Sequence, residues 1–178
     1  MEQTLTSTIT DKTVPIFILG MKNNKVSQYY EKLCIDNFKK FGYNNINHFE
    51  AIVPETMGNE LTFESHRIYS ATKKREWDVV EKAIWYSHYS LWCKCIELNE
   101  TIIVAEHDCM MTKPFTDIVL EHGLFSFAAT TRTSHSIAGV GYIITPRYAI
   151  KMVERATTIL INNPCDGFIH GLQIKRYP

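Results

Sequence analysis

The sequence predicts an α/β fold, a single domain with a mostly parallel central sheet flanked by helices. Three observations carry this reading. Two short apolar runs, Val14–Leu19 (VPIFIL) and Thr101–Ala105 (TIIVA), have the composition of buried strands. Segments with apolar residues at helical spacing lie before and between further strand candidates. The resulting alternation of strand and helix favours parallel pairing through right-handed crossovers.

The elements follow in order. Met1 to Thr13 is polar and Thr-rich, and a flexible N-terminus is expected there. VPIFIL is closed by Gly20. From Val26 to Phe41, Val26, Tyr30, Leu33, Phe38 and Phe41 recur at helical spacing, and Gly42 ends the helix. Ile46 to Val53 reads as a second strand, stopped by Pro54. Glu55 to Thr72 has no clear period and is expected to be a long loop, of the kind that serves as a lid or binding loop. Arg75 to Leu98 is the longest expected helix, with a stripe of Trp77, Val80, Ile84, Leu91, Cys95 and Leu98. TIIVA then ends abruptly in Glu106-His107-Asp108. Phe125–Thr130 and Ile137–Thr145 are further strand candidates. Pro146 suits the start of a helix over Arg147–Ile161. Asn162 to Pro178 is expected to be irregular or a short helix.

Composition narrows the function classes. The 178 residues are 45% hydrophobic and 12% aromatic, enough for a real core. Lys plus Arg equals Asp plus Glu at 19 each. A neutral chain lacks the broad positive field of non-specific nucleic-acid binders, although Lys73, Lys74 and Arg75 form a local cationic cluster. The five Cys show no zinc spacing and read as free thiols of a reducing compartment. There is no stretch resembling a signal peptide and no run of membrane-spanning length. A cytoplasmic protein without membrane insertion is expected.

In open α/β sheets, ligands bind beyond the carboxyl ends of the strands. Glu106 and Asp108 stand at that end of TIIVA. Along a strand, residues i and i+2 point to one side, so the two carboxylates are expected to converge. Hard cations such as Mn²⁺ or Mg²⁺ take oxygen ligands and bridge carboxylates to diphosphates. A metal there would stabilise a departing nucleoside diphosphate. The plainer reading is a pair of loop residues capping the next segment.

The stretch Glu81 to Phe115, EKAIWYSHYSLWCKCIELNETIIVAEHDCMMTKPF, resembles the core of the family 25 glycosyltransferases. These include lipooligosaccharide galactosyltransferases and the collagen galactosyltransferase domain. Ser87, His88 and Trp92 match the family's helix, and Glu106-His107-Asp108 stands where Glu-Asp-Asp is expected. VPIFILGMK resembles the first strand, and His48-Phe49-Glu50-Ala51 the second. Gly139-Val140-Gly141-Tyr142 with Pro146-Arg147-Tyr148-Ala149, and Pro164-Cys165-Asp166-Gly167-Phe168, resemble two later family segments. His107 and Gly167 replace family acids, and Asn23, Asn24 and Lys25 replace the usual charged residues after the first strand.

The resemblance implies a GT-A-like (Rossmann-like) domain over residues 1–178, with Mn²⁺ or Mg²⁺ and a nucleotide-sugar donor, a UDP-sugar first. It implies a hexosyl- or pentosyltransferase acting on a hydroxyl-bearing acceptor. That acceptor is a saccharide, a small molecule, a protein or a modified base in DNA; neutral charge argues against DNA. Glu106 and Asp108 become the metal and diphosphate elements. His170 is a further metal-ligand candidate, against a default of surface histidine. Asp166 is the candidate catalytic base, against an Asp bonded to its own turn. Lys25, Ser87, His88, Gly139 and Gly141 are the other donor-site candidates. Their plainer readings are a solvated lysine, packing within the helix, and a tight glycine turn. Two other classes stay open: a non-catalytic sugar- or nucleotide-binding module, and a metal-dependent phosphoryl-transfer enzyme.

Overall fold

The computed structural model describes residues 7–9, 12–57, 78–115, 118–120, 124–126, 141–158 and 175–176. The architecture is α/β and Rossmann-like. Its elements are β1 (Ser7–Ile9), β2 (Ile16–Gly20), α1 (Lys25–Lys40), β3 (Ile46–Glu50), α2 (Val79–Leu98) and β4 (Ile102–Glu106). Then follow β5 (Ile118–Leu120), β6 (Leu124–Ser126), β7 (Gly141–Ile144), α3 (Pro146–Thr158) and β8 (Lys175–Arg176). The main sheet has strand order β3-β2-β4-β7-β6-β8. The pairs β2–β3, β2–β4 and β6–β8 are parallel; β4–β7 and β6–β7 are antiparallel. β1 pairs with β5 in a separate antiparallel ribbon, inside a stretch where the sequence predicted no strand. The strand Lys175–Arg176 likewise replaces irregular chain.

β2 and β4 are buried on both faces, as apolar runs in a parallel sheet must be. Their side chains alternate with period two. Phe17, Leu19, Ile102, Val104, Tyr142 and Ile144 pack with Trp85, Leu91 and Trp92 of α2 and Met152 of α3. Ile16, Ile18, Ile103, Ala105 and Ile143 pack on the other face with Cys34 and Phe38 of α1. The helix after β2 therefore covers one face, and the helix before β4 covers the opposite one. β2 lies between β3 and β4, so the chain switches faces there. In open α/β sheets ligands bind at such a switch point, here the carboxyl edge between β2 and β4.

Both long helices have defined ends. Asn24 caps α1, its side chain accepting from Val26 N and Ser27 N at 3.0 Å each. Gly42, at φ 90°, leaves α1 in a left-handed conformation that favours glycine. α2 starts at Val79 instead of Arg75 because Asp78 and Glu81 form a reciprocal capping box. Asn99 ends it at φ 51°. β3 stops at Glu50, short of the expected Val53, because Ile52 N turns to the Ser87 hydroxyl at 2.9 Å.

The apolar stripes read from the sequence meet the core faces only in part, at Phe38, Leu91 and Cys95. On α1, Val26, Tyr30 and Leu33 are exposed, while Ser27, Glu31, Cys34 and Phe38 are buried. On α2, Val80, Ile84 and Leu98 are exposed, while Trp85, Tyr86, Ser87, His88, Leu91, Trp92 and Cys95 are buried. The polar residues go inside because each binds the exit of a strand, as the site geometry below shows. Most of the expected loop over 55–72, residues 75–77 of the expected helix, residues 127–130 and 137–140 of the expected strands, and most of 162–178 lie outside the described residues.

A pair of substitutions separates the two descriptions of α2. Leu91→Ala should lower the unfolding free energy by about 2–5 kcal/mol, through a cavity against the sheet. Ile84→Ala, at a 45% exposed position, should change it by about 0.5 kcal/mol or less. Urea denaturation of both variants measures the difference.

Candidate active site

Each strand that reaches the carboxyl edge is held there by a polar side chain from a helix. At the exit of β2, Met21 N donates to Ser27 Oγ at 2.9 Å. Lys22 N donates to Glu50 Oε1 at 3.0 Å, tying the exits of β2 and β3 together. Glu31 of α1 reaches under this edge. Its Oε1 lies 2.6 Å from His48 Nδ1, and His48 Nε2 lies 3.0 Å from Glu50 Oε2. A Cβ at Gly20 would stand 2.7 Å from Glu31 Oε2, so this close approach requires glycine or a displaced Glu31.

At the exit of β3, Ser87 of α2 accepts from Ile52 N and donates to Ala83 O at 2.9 Å. Ser87 is buried and fastens the β3 exit to the helix. At the exit of β4, His107 N donates to Leu19 O at 3.0 Å, the last rung of the ladder. Cys109 N then donates to Glu106 O at 2.9 Å and closes a turn. Beyond it, Asn37 of α1 grips Met111 twice, accepting from its N at 2.7 Å and donating to its O at 3.1 Å. The acidic turn is thus pinned on both sides.

Glu106 belongs to the same face of β4 as Ile102 and Val104, so its side chain meets α2. His88 Nε2 lies 3.3 Å from Glu106 Oε1, and the glutamate side chain is 30% exposed. Among the described residues, no hydrogen bond reaches the second oxygen, Oε2. Burial works to raise the Glu106 pKa. The hydrogen bond from His88 and the positive fields of His88 and His107 outweigh it, and the carboxyl is held below its ordinary value of 4.5.

Asp108 lies in the turn and is exposed. The strand ends at Glu106, so the i, i+2 alternation expected to align the two carboxylates does not extend to Asp108. They are neighbours through the turn instead. Cys109 senses both: burial, then the charges of Asp108 and Glu106, push its thiol up to about 12.

Gly141 opens β7 directly opposite Ala105, beside Glu106. Lys25 begins α1, exposed, beyond the end of β2. The structure therefore brings Glu106, Asp108, Gly141 and Lys25 to the same edge of the sheet. His88 is fully buried, with both ring nitrogens engaged, and reaches that edge only through Glu106. Gly139, Asp166 and His170 lie outside the described residues. The sequence reading missed Ser27, Glu31, Asn37 and the Tyr142 hydroxyl as supports of the edge. The helical spacing of Ser27, Glu31, Cys34 and Phe38 was the available signal for a second face on α1.

An acidic turn at the switch point of an open α/β sheet defines a Rossmann-like domain that takes its ligand at the carboxyl edge. The model of glycosyltransferase family 25 (LPS biosynthesis protein) matches residues 15–124, and the chain belongs to that family. It is a glycosyltransferase, as the earlier resemblance implied. Glu106 and Asp108 fall within the matched residues; Gly141 and Asp166 follow them. No curated protein matches the chain. Among the described residues, no helix is long and apolar enough to cross a membrane.

The depressed Glu106 pKa has a signed consequence for stability. A carboxyl with a lowered folded-state pKa stabilises the fold fully above its unfolded value, and that increment is lost as pH falls through the folded value. Wild-type melting temperature should drop below pH 4.5, and Glu106→Gln should flatten that acid-side slope. Calorimetric scans from pH 6 to about pH 3 read the slope directly.

Proposed function

We propose that the chain transfers a sugar from a nucleotide-sugar donor, a UDP-sugar first, to an acceptor hydroxyl, with Mn²⁺ or Mg²⁺ at the acidic turn. The observation that carries the reading is the placement of Glu106 and Asp108 at the carboxyl end of β4, at the sheet's switch point and inside the residues that match family 25. The donor set fits such a cation. Glu106 offers an oxygen outside its bond to His88, and Asp108 offers an exposed carboxylate. Among the described residues, no three His, Cys, Asp or Glu side chains group as ligands. Two carboxylates suit Mg²⁺ or Mn²⁺, which fill their remaining positions with water and phosphate oxygens. When bound, the ion neutralises charge on the departing diphosphate.

The chain's own residues do the rest. Glu106 and Asp108 fix where the diphosphate sits. Gly141 keeps the neighbouring strand start free of a side chain, so backbone can approach the donor. Lys25 adds positive charge at the same edge. Asp166 is assigned the base that takes the proton of the attacking hydroxyl. Ser87 and His88 support the edge from beneath. The reaction belongs in the cytoplasm, where nucleotide sugars and reduced cysteines coexist.

Thermal-shift screening of nucleotide sugars, with and without Mn²⁺, tests the reading. A ligand at a hundred times its Kd stabilises the native state by about 2.7 kcal/mol, so the true donor raises Tm only when Mn²⁺ is present. Asp108→Asn should abolish that shift and cut turnover by about 100-fold or more, while the unliganded Tm stays near wild type. Full activity in this variant removes Asp108 from the site.

Asp166→Asn separates the base from the binding residues. Turnover should fall while donor affinity, measured by isothermal titration, is kept. Loss of donor affinity with turnover intact at saturation removes Asp166 from the base role.

A further inference from the structure

Four side chains form a line from the core to the acidic turn. Trp92 Nε1 donates to Tyr142 Oη at 3.0 Å. Tyr142 Oη lies 3.0 Å from His88 Nδ1, and His88 Nε2 lies 3.3 Å from Glu106 Oε1. His88, Tyr142 and Trp92 are at most 1% exposed, so bulk water does not compete for these bonds.

The chemistry of the two ends sets the direction of the line. An indole N–H only donates, and an ionised carboxylate only accepts. His88 must therefore present Nε2–H to Glu106. In the neutral imidazole Nδ1 is then bare and accepts the Tyr142 O–H, while the Tyr142 oxygen accepts from Trp92. The opposite tautomer would set an imidazole lone pair against a carboxylate oxygen. Each bond favours the next, because a donor that is also an acceptor is polarised by its partner.

We propose that Tyr142 and His88 are positioning residues. Their directed bonds hold Glu106 in one orientation, with Oε2 left for a divalent cation. The assignment rests on the transferase reading above and goes beyond it in two ways. It takes His88 out of direct contact with the donor, and it gives Tyr142, which lies beyond the family-matched residues, a defined task at the site. Groups that orient a metal-binding carboxylate or imidazole from behind change metal affinity by about 10–100-fold when removed.

Two measurements test it, and they fail independently. The first needs no ligand. Nitrogen-15 NMR of ring-labelled histidine in the full chain should show His88 as the Nε2–H tautomer in wild type, with the Nδ1 resonance displaced in Tyr142→Phe, where its bond to the Tyr142 hydroxyl is lost. An Nδ1–H tautomer in wild type, or an Nδ1 resonance unmoved by Tyr142→Phe, overturns the relay whatever the site binds. The second follows Mn²⁺ by electron paramagnetic resonance in the presence of UDP. Tyr142→Phe and His88→Ala should weaken Mn²⁺ binding about tenfold. His88→Gln, which can carry an amide N–H near the place of Nε2, should recover most of the loss. Equal affinity in all variants overturns the positioning role while leaving the transferase reading intact. Wild type that binds no Mn²⁺ with UDP overturns that reading, and the role in holding Glu106 for a cation falls with it. Tyr142→Phe keeps its ring but removes the oxygen that Trp92 Nε1 and His88 Nδ1 bond, so a Tm lowered by several degrees is expected, and a cooperative transition well above the assay temperature confirms that the folded protein is being compared.

Discussion

A carboxylate that follows a buried strand cannot simply point into the core. β4 alternates side chains between two packed faces, and its last residue, Glu106, is due on the face covered by α2. An unpaired carboxylate there would cost several kcal/mol of lost hydration. His88 meets it from α2, Tyr142 meets His88 from β7, and Trp92 meets Tyr142 from α2 again. The central strand, its antiparallel neighbour and the longest helix are thus joined by the same bonds that orient the candidate catalytic edge. Fold and site share one set of side chains.

The same logic explains the helices. α1 and α2 bury Ser27, Glu31, Ser87 and His88, although each offers an apolar alternative at helical spacing. Strand exits at a carboxyl edge leave backbone N–H groups without ladder partners. Buried groups of this kind need satisfaction. Ser27 serves Met21, Ser87 serves Ile52, and Asn37 serves Met111. The glycine at the end of β2 belongs to this arrangement, since a Cβ there would come within 2.7 Å of Glu31 Oε2. The edge is held rigid by polar residues inside the helix layers. Asp108, exposed at that edge, sits in a turn clamped on both flanks.

Much of this was legible in sequence, for local reasons. VPIFIL and TIIVA declare buried strands because no amphipathic element needs an unbroken apolar run. Gly42, Pro146 and the acidic triplet mark ends because their backbone or solvation preferences act within a residue or two. The acids at the end of TIIVA, with Ser-His-x-x-x-Trp before them, also carried the family, which the match over residues 15–124 bears out. The course of Asp108 was not legible. Strand alternation holds only while the strand lasts, and the Cys109 N to Glu106 O bond ends it one residue too soon.

Taken alone, the sequence determined the order of β2, α1, β3, α2, β4 and α3, the parallel core and the address of the acids, since each depends on neighbours in the chain. Tertiary structure alone decided which face of each helix turns inward. It also placed His88 behind Glu106, fully buried and with both ring nitrogens engaged. Both outcomes depend on partners far apart in sequence, such as Tyr142, 54 positions from His88. Helical periodicity shows that a face exists; only the sheet it packs against chooses the face, and here the choice went to the side chains that could satisfy buried backbone and a buried carboxylate.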